Sequence, residues 1–219
     1  MTVEADRYAV AREGTALVAA PSAGDGERGR IILDCDFESG TSGWRYRIHG
    51  GDGTWEPVPE SWVKEVKGTD GTGWTKALVL DPGGLGATTI ELISDVTIDA
   101  GAFELESDYI ANWPRSARGS RSGLTAGVSA VPGAAQKVLR SEALEGGVGT
   151  WQHTRIVYGR HADDSRENVL GCRRFVDGKL VVESLVMPKE KRALFWVRGG
   201  TLAIDFVRVR ELTGDVHVR

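Results

Sequence analysis

The chain is written in short runs of alternating apolar and polar residues separated by Gly, Asp and Pro. Runs at 31–37, 44–48, 61–66, 77–80, 89–93, 102–110, 123–130, 151–158, 172–176, 179–186, 193–197 and 202–212 have the β-branched and aromatic content of strands. Many short strands with turn signals between them predict an all-β sandwich or barrel. A 3.6-residue period is missing over any useful length, and 134–144, bounded by glycines, is the best candidate for one short helix or a further strand. No fixed-period repeat appears, which argues against a propeller or a solenoid.

Three segments carry more detail. Asp177-Gly178 between two β-branched runs predicts a two-residue hairpin, because a type I′ turn needs positive φ at both central positions. In the 151–158 run, Thr154, Ile156 and Tyr158 share one face and His153, Arg155 and Val157 the other. In the last run, Leu202, Ile204 and Phe206 alternate with Ala203, Asp205, Val207 and Val209, so both faces read as largely apolar, as in the middle of a packed sheet. Residues 1–29, ending in a Pro/Ser/Gly-rich stretch, read as an irregular or loosely paired lead-in, and 30–219 as the sandwich domain.

Composition changes this picture little. With 219 residues, 26% charged and 41% hydrophobic, and a net charge of −4, the chain is neither disordered nor collagen-like. No apolar run approaches the ~18 residues that cross a bilayer, so no membrane insertion is expected. The apolar stretch 16–20 is too short for a signal-peptide core and has no basic leader, so no export signal is read. Basic residues are interspersed with acids except at Arg115, Arg118 and Arg121, which excludes a general nucleic-acid surface. Cys35 and Cys172 could close one long-range disulfide, but each sits in a strand-like run where a buried free thiol fits, and free thiols are the favoured reading. The match to G-x-G-x-x-G at 24–29 leads into a strand and offers a phosphate no helix N-terminus. Serine-hydrolase, zincin and NTPase motifs are missing from the sequence.

Four pieces in order resemble the concanavalin A-like lectin/glucanase superfamily, in particular its laminin G-like domains. They are DFESGTSGW at 36–44, GTWQHTRIVYG at 149–159, RRFVDGKLV at 173–181 and GTLAIDFVRVREL at 200–212. The first and last also resemble family 4-type carbohydrate-binding modules, and the two topologies stay open. The resemblance implies a jelly-roll sandwich of two antiparallel sheets, a polysaccharide or oligosaccharide partner, attachment to or derivation from carbohydrate-active proteins, and often an extracellular setting. A cytoplasmic setting stays open as well.

Candidate chemistry falls into four sets. Trp55, Trp62 and Trp113 lie in or beside loops and suit a platform on which a pyranose stacks, with Arg115 and Arg118 beside them to meet anionic groups, whereas Trp151 and Trp196 read as core. Glu104, Glu106 and Asp108 project from one face of a strand, with neighbouring acids about 6.7 Å apart by backbone rise. They resemble the E-x-D-x-E strand of glucanases in this superfamily, with the middle and last acids exchanged in type. Asp36, Glu38 and Asp205 are candidate ligands of one structural calcium, and no cofactor is required. His153 and Arg155, with Arg173 beside them, suit the neutralisation and deprotonation of a uronate.

Non-catalytic binding of a polysaccharide is the favoured reading. The alternatives are a polysaccharide-degrading enzyme on the same fold, either a retaining glycoside hydrolase using Glu104 and Asp108 or a lyase using His153 and Arg155, and an interaction module with no sugar site.

Overall fold

The computed structural model describes residues 11–13, 16–18, 26–48, 53–68, 73–87, 89–112, 121–128, 151–161, 170–186 and 190–218. Its strands are β1 (Ala11–Glu13), β2 (Ala16–Val18), β3 (Glu27–Cys35), β4 (Trp44–Ile48), β5 (Glu56–Pro57), β6 (Val63–Lys67), β7 (Trp74–Leu80) and β8 (Thr89–Ser94). They continue with β9 (Phe103–Asn112), β10 (Arg121–Val128), β11 (Trp151–His161), β12 (Leu170–Val176), β13 (Lys179–Val186), β14 (Glu190–Arg198), β15 (Thr201–Thr213) and β16 (His217–Val218). Single 3₁₀ turns occur at Glu60–Trp62 and Gly83–Leu85, and among the described residues there is no α-helix. The helix candidate at 134–144 lies outside the described residues.

The strands form the expected two-sheet antiparallel β-sandwich. The smaller sheet runs β10-β14-β8-β4-β5, and the larger runs β13-β12-β11-β9-β15-β7-β6. β3 lies beside the second half of β15, β16 pairs in parallel with the end of β11, and β1 and β2 pair separately. The core is what alternation predicts: Leu78, Leu105, Ile156 and Ile204 from the larger sheet meet Leu92 and Phe195 from the smaller, all at most 1% exposed. Each such side chain contributes about 1.5–3 kcal/mol of apolar burial.

Turn chemistry behaves as read at 177–178, where Asp177 has φ 47° and Gly178 φ 77°, so β12 and β13 form the expected hairpin. Both cysteines are free, with Cys172 buried and the Cys35 Sγ accepting from the Trp44 indole at 3.4 Å. Burial pushes the Cys35 thiol pKa up.

The final strand departs from simple alternation. A β-bulge between Ile204 and Phe206 adds one residue, so Leu202 and Ile204 face the core before it and Val207 and Val209 after it. Phe206 and Arg208 therefore lie on the outer face, which is charged and not apolar as strict alternation implies.

The tryptophans also redistribute. Trp44, at a loop margin in sequence, is 2% exposed and lies between Phe37 and Phe195 in the core. Trp151 and Trp196, read as core, are half-buried and lie outside both core clusters. Their strands are paired as expected, but the two side chains point to the outer faces.

Candidate functional site

β9 lies inside the larger sheet, paired with β11 on one side and β15 on the other, and its even-numbered side chains from 104 to 108 all leave the core side. Register then decides who meets whom. Glu106 stands between Arg155 and Arg208, Asp108 between His153 and Phe206, and Glu104 between Val157 and Arg210. The two candidate catalytic sets of the sequence, the acids of β9 and the His/Arg pair of β11, thus share one strip on the outer face.

The acids are not a solvated polar face. Glu104, Glu106 and Asp108 are at most 1% exposed. Burying charge is costly unless it is paired, and here it is paired. Arg28 Nε lies 2.7 Å from Glu104 Oε1, Arg28 Nη2 donates to Glu106 Oε1 at 2.9 Å, and Arg155 Nε donates to Glu104 Oε2 at 2.8 Å. His153 Nδ1 lies 2.7 Å from Asp108 Oδ1. Next to them Arg208 grips Asp34 with two hydrogen bonds of 3.1 and 3.0 Å.

Protonation follows from these contacts. Burial raises the Glu106 pKa, with the Glu104 charge adding to it against the opposing effect of Arg28, His153 and Arg155. Burial alone lowers that of His153, but the hydrogen bond and charge of Asp108, with the charges of Glu106 and Asp177, bring the net shift upward. Asp205, in the bulge, is pushed up to about 6 by burial and by the Asp108, Glu38 and Asp36 charges, against a 2.7 Å bond from Thr75 Oγ1 that favours its ionised form.

The strip has two covered ends. At one, the β6–β7 hairpin is tied down by Thr75 to Asp205 and by the Trp151 indole, which donates to the Lys67 carbonyl at 2.6 Å. At the other, Val216 and Val218 pack with Val157 and Leu212 in a second apolar cluster above Gly159 and Gly171. A Cβ on Gly171 would lie 2.5 Å from the Val218 Cβ, and one on Gly159 would lie 2.5 Å from the Val216 carbonyl oxygen. Two glycines in register across β11 and β12 are what lets the C-terminal segment seat there.

The remaining candidates are placed as follows. Trp62 meets Tyr46 in a tilted contact, ring centroids 4.5 Å apart, and packs against the main core, while Trp55 lies under the Arg47 guanidinium at 4.6 Å. Trp113, Arg115 and Arg118 lie outside the described residues. Arg173 shares the outer face but stands opposite Val157, past Arg155. Tyr109 and Tyr158 turn into the sandwich at 2% and 1% exposure, on the other side of the sheet from His153. Glu104 and Asp108 are four residues apart, about 13 Å of strand rise, against the ~5 Å between the carboxyl groups of a retaining glycosidase.

For the proposed calcium, Asp36 Oδ1 accepts from the Glu38 amide, Glu38 accepts from the Lys76 amide and Asp205 accepts from Thr75. Among the described residues no group of three or more His, Cys, Asp or Glu side chains is placed to hold a metal ion. Arg208 and Asp34 are not among the sequence candidates, and neither is Arg28. Arg28 falls in the stretch read as lead-in, and nothing local announces that its guanidinium crosses β15 to reach β9.

No family model matches the chain, and no curated protein matches it in sequence. Solved structures do resemble it in fold. The Emp46p carbohydrate recognition domain in its metal-free form aligns with 86% of this chain and 99% of its own at 9% identity and a TM-score of 0.48. A chain described under endo-acting O-glycanases with which human gut microbiota initiate mucin breakdown aligns over 84% and 100% at 12% identity and 0.45. The alginate lyase Aly36B aligns over 72% and 87% at 12% identity and 0.41.

Proposed function

We propose that the protein is a carbohydrate-associated β-sandwich that binds a polysaccharide across the outer face of its larger sheet without cleaving it. The observation that carries this reading is the layering of the strip: the acids lie at its floor, the side chain of Arg28, 15% exposed, lies over Glu104 and Glu106, and that of Arg208, 10% exposed, is held beside them by Asp34. The buried carboxylates under Arg28, and the half-exposed Asp34 beside Arg208, hold planar guanidinium forks in fixed orientations, and such forks meet carboxylate, sulfate and diol oxygens with little further ordering. Glu104, held at both oxygens by arginines, is a structural anchor in this reading and not a nucleophile. The sequence resemblance agrees with a sugar partner, a place in a larger carbohydrate-active protein and a setting outside the cell.

Affinity electrophoresis in gels containing polygalacturonate, alginate or heparin tests it. Retention that falls in Arg208→Gln is expected. Migration unaffected by all three would remove the reading of the outer strip as a sugar site, and release of reducing ends or of an unsaturated product would remove the non-catalytic one.

A lyase is the second reading, and one observation favours it. Asp108 orients His153 through Nδ1, and Nε2 has no protein hydrogen-bond partner among the described residues. A neutral imidazole so held would take the proton α to a uronate carboxyl. The resulting carbanion expels the 4-linked oxygen, which leaves with a proton, and a 4,5 double bond forms. Against it, the Nε2 atom is itself buried, and neither Tyr109 nor Tyr158 is on this face to protonate the leaving oxygen. His153→Ala would abolish product in a lyase and leave retention intact.

A further inference from the structure

Away from the strip, at the free edge of the larger sheet, lies a hollow of about 370 Å³ bounded by the turn at 37–40, by Glu60, and by β6 and β7. Phe37 shapes that turn. Its side chain is 1% exposed, and its backbone takes φ 58°, a conformation that a non-glycine residue holds only where packing enforces it. This carries Glu38 to the hollow, opposite Lys76.

The β6–β7 pairing continues the surface beyond the hollow. Glu65 faces Lys76 across the hairpin, and Lys67 faces Trp74 one step further along the same side, about 7 Å away by strand rise. Thr75 points the other way and is tied to Asp205. Trp74 is therefore anchored through its neighbours, yet its side chain packs on little: at 76% exposure it is the most open large hydrophobic residue among those described. Every other tryptophan with a described side chain is buried or half-buried.

An open indole on an anchored strand, beside a hollow of hydrogen-bonding groups, is an arrangement that suits a sugar ring. The ring's C–H face covers the aromatic face, and its hydroxyls find donors and acceptors at the rim. The lining carries Glu38, Glu60 and Glu65 against Lys64 and Lys76, so a neutral ring meets both kinds of partner and a uronate meets an excess of carboxylates.

We infer that Trp74 and this hollow form a second carbohydrate subsite, which takes a pyranose of a neutral glycan with its ring on the indole and its hydroxyls toward Glu65 and Lys76. It is separate from the outer strip, so the two succeed or fail independently.

Titration of the full chain with cellohexaose, xylohexaose and mannohexaose, followed by tryptophan emission and calorimetry, tests the subsite. Saturable binding of at least one hexamer with a blue shift in emission is expected. Trp74→Ala should weaken that hexamer at least about tenfold and Trp74→Phe less than about threefold, with the thermal midpoint and retention by polygalacturonate unchanged. Arg208→Gln should leave hexamer binding as it is. Failure of all three hexamers to bind the wild type, or equal binding by Trp74→Ala, would overturn the subsite.

Discussion

His153 Nδ1 lies 2.7 Å from Asp108 Oδ1, and the two residues are direct partners in the β11–β9 register. The imidazole is 11% exposed and the carboxylate 2%. Desolvation and ion pairing thus oppose each other at one side chain, and pairing prevails. Because the folded-state pKa is raised, the pair's contribution to stability is fully present below the unfolded value of ~6.5 and is lost as pH rises through the folded value. Proton NMR of the imidazole should give a midpoint above 6.5 in the wild type. In Asp108→Asn the midpoint should fall below 6.5, since burial is then opposed only by the more distant charges.

Asp205 has the opposite consequence for a carboxylate. Its folded pKa of about 6 exceeds the ordinary value of 3.8, so the protonated form is favoured by folding. That contribution is complete below about pH 4 and is lost as pH rises toward 6. Asp205→Asn should therefore gain stability relative to wild type at pH 8 and gain none at pH 4. Two units correspond to roughly 2–3 kcal/mol as an upper bound. Urea denaturation at the two pH values checks the sign.

Glu104 neutralises Arg28 and Arg155 in a buried setting. Removing one partner of such a group leaves charge without compensation, so Glu104→Ala should cost about 3–5 kcal/mol. A shift below 1 kcal/mol in the urea midpoint would show that the network is not what holds β3, β9 and β11 together.

Gly171 is the seat of the C-terminal segment. Gly171→Ala should displace residues 216–218 and cost about 1–3 kcal/mol, and hydrogen exchange at the Arg160 amide, which donates to the Val216 carbonyl at 3.0 Å, should accelerate.

Trp62 and Trp55 separate packing from presentation. Trp62→Ala removes a ring in tilted contact with Tyr46 and packed against the core, and should cost about 2–3 kcal/mol. Trp55→Ala loses a stacked cation and should cost under about 1 kcal/mol. Thermal melts of the two variants distinguish them.

Much of the sandwich was legible because a strand writes its own period into the sequence. Trp44–Ile48 and Lys179–Val186 coincide with their expected bounds, and β7, β11, β12 and β14 are only longer by two to four end residues that pairing recruits. The shared face of Glu104, Glu106 and Asp108, and that of His153 and Arg155, also followed from alternation. Their meeting did not, because alternation says nothing about which strands become neighbours.

What the chain determined by itself was local: strand type, the Asp177-Gly178 turn, and which side chains of one strand face together. Each depends on backbone sterics and on residues close in sequence. Tertiary structure decided everything that depends on register and on distant partners. The bulge at Asp205 turned Phe206 and Arg208 outward, Arg28 reached across β15 to Glu104, and the hairpin of β6 and β7 with the C-terminal segment closed the two ends of the strip. A strand face of three acids became a buried ionic floor, because burial is set by what the rest of the chain places over a strand and not by the strand's own pattern.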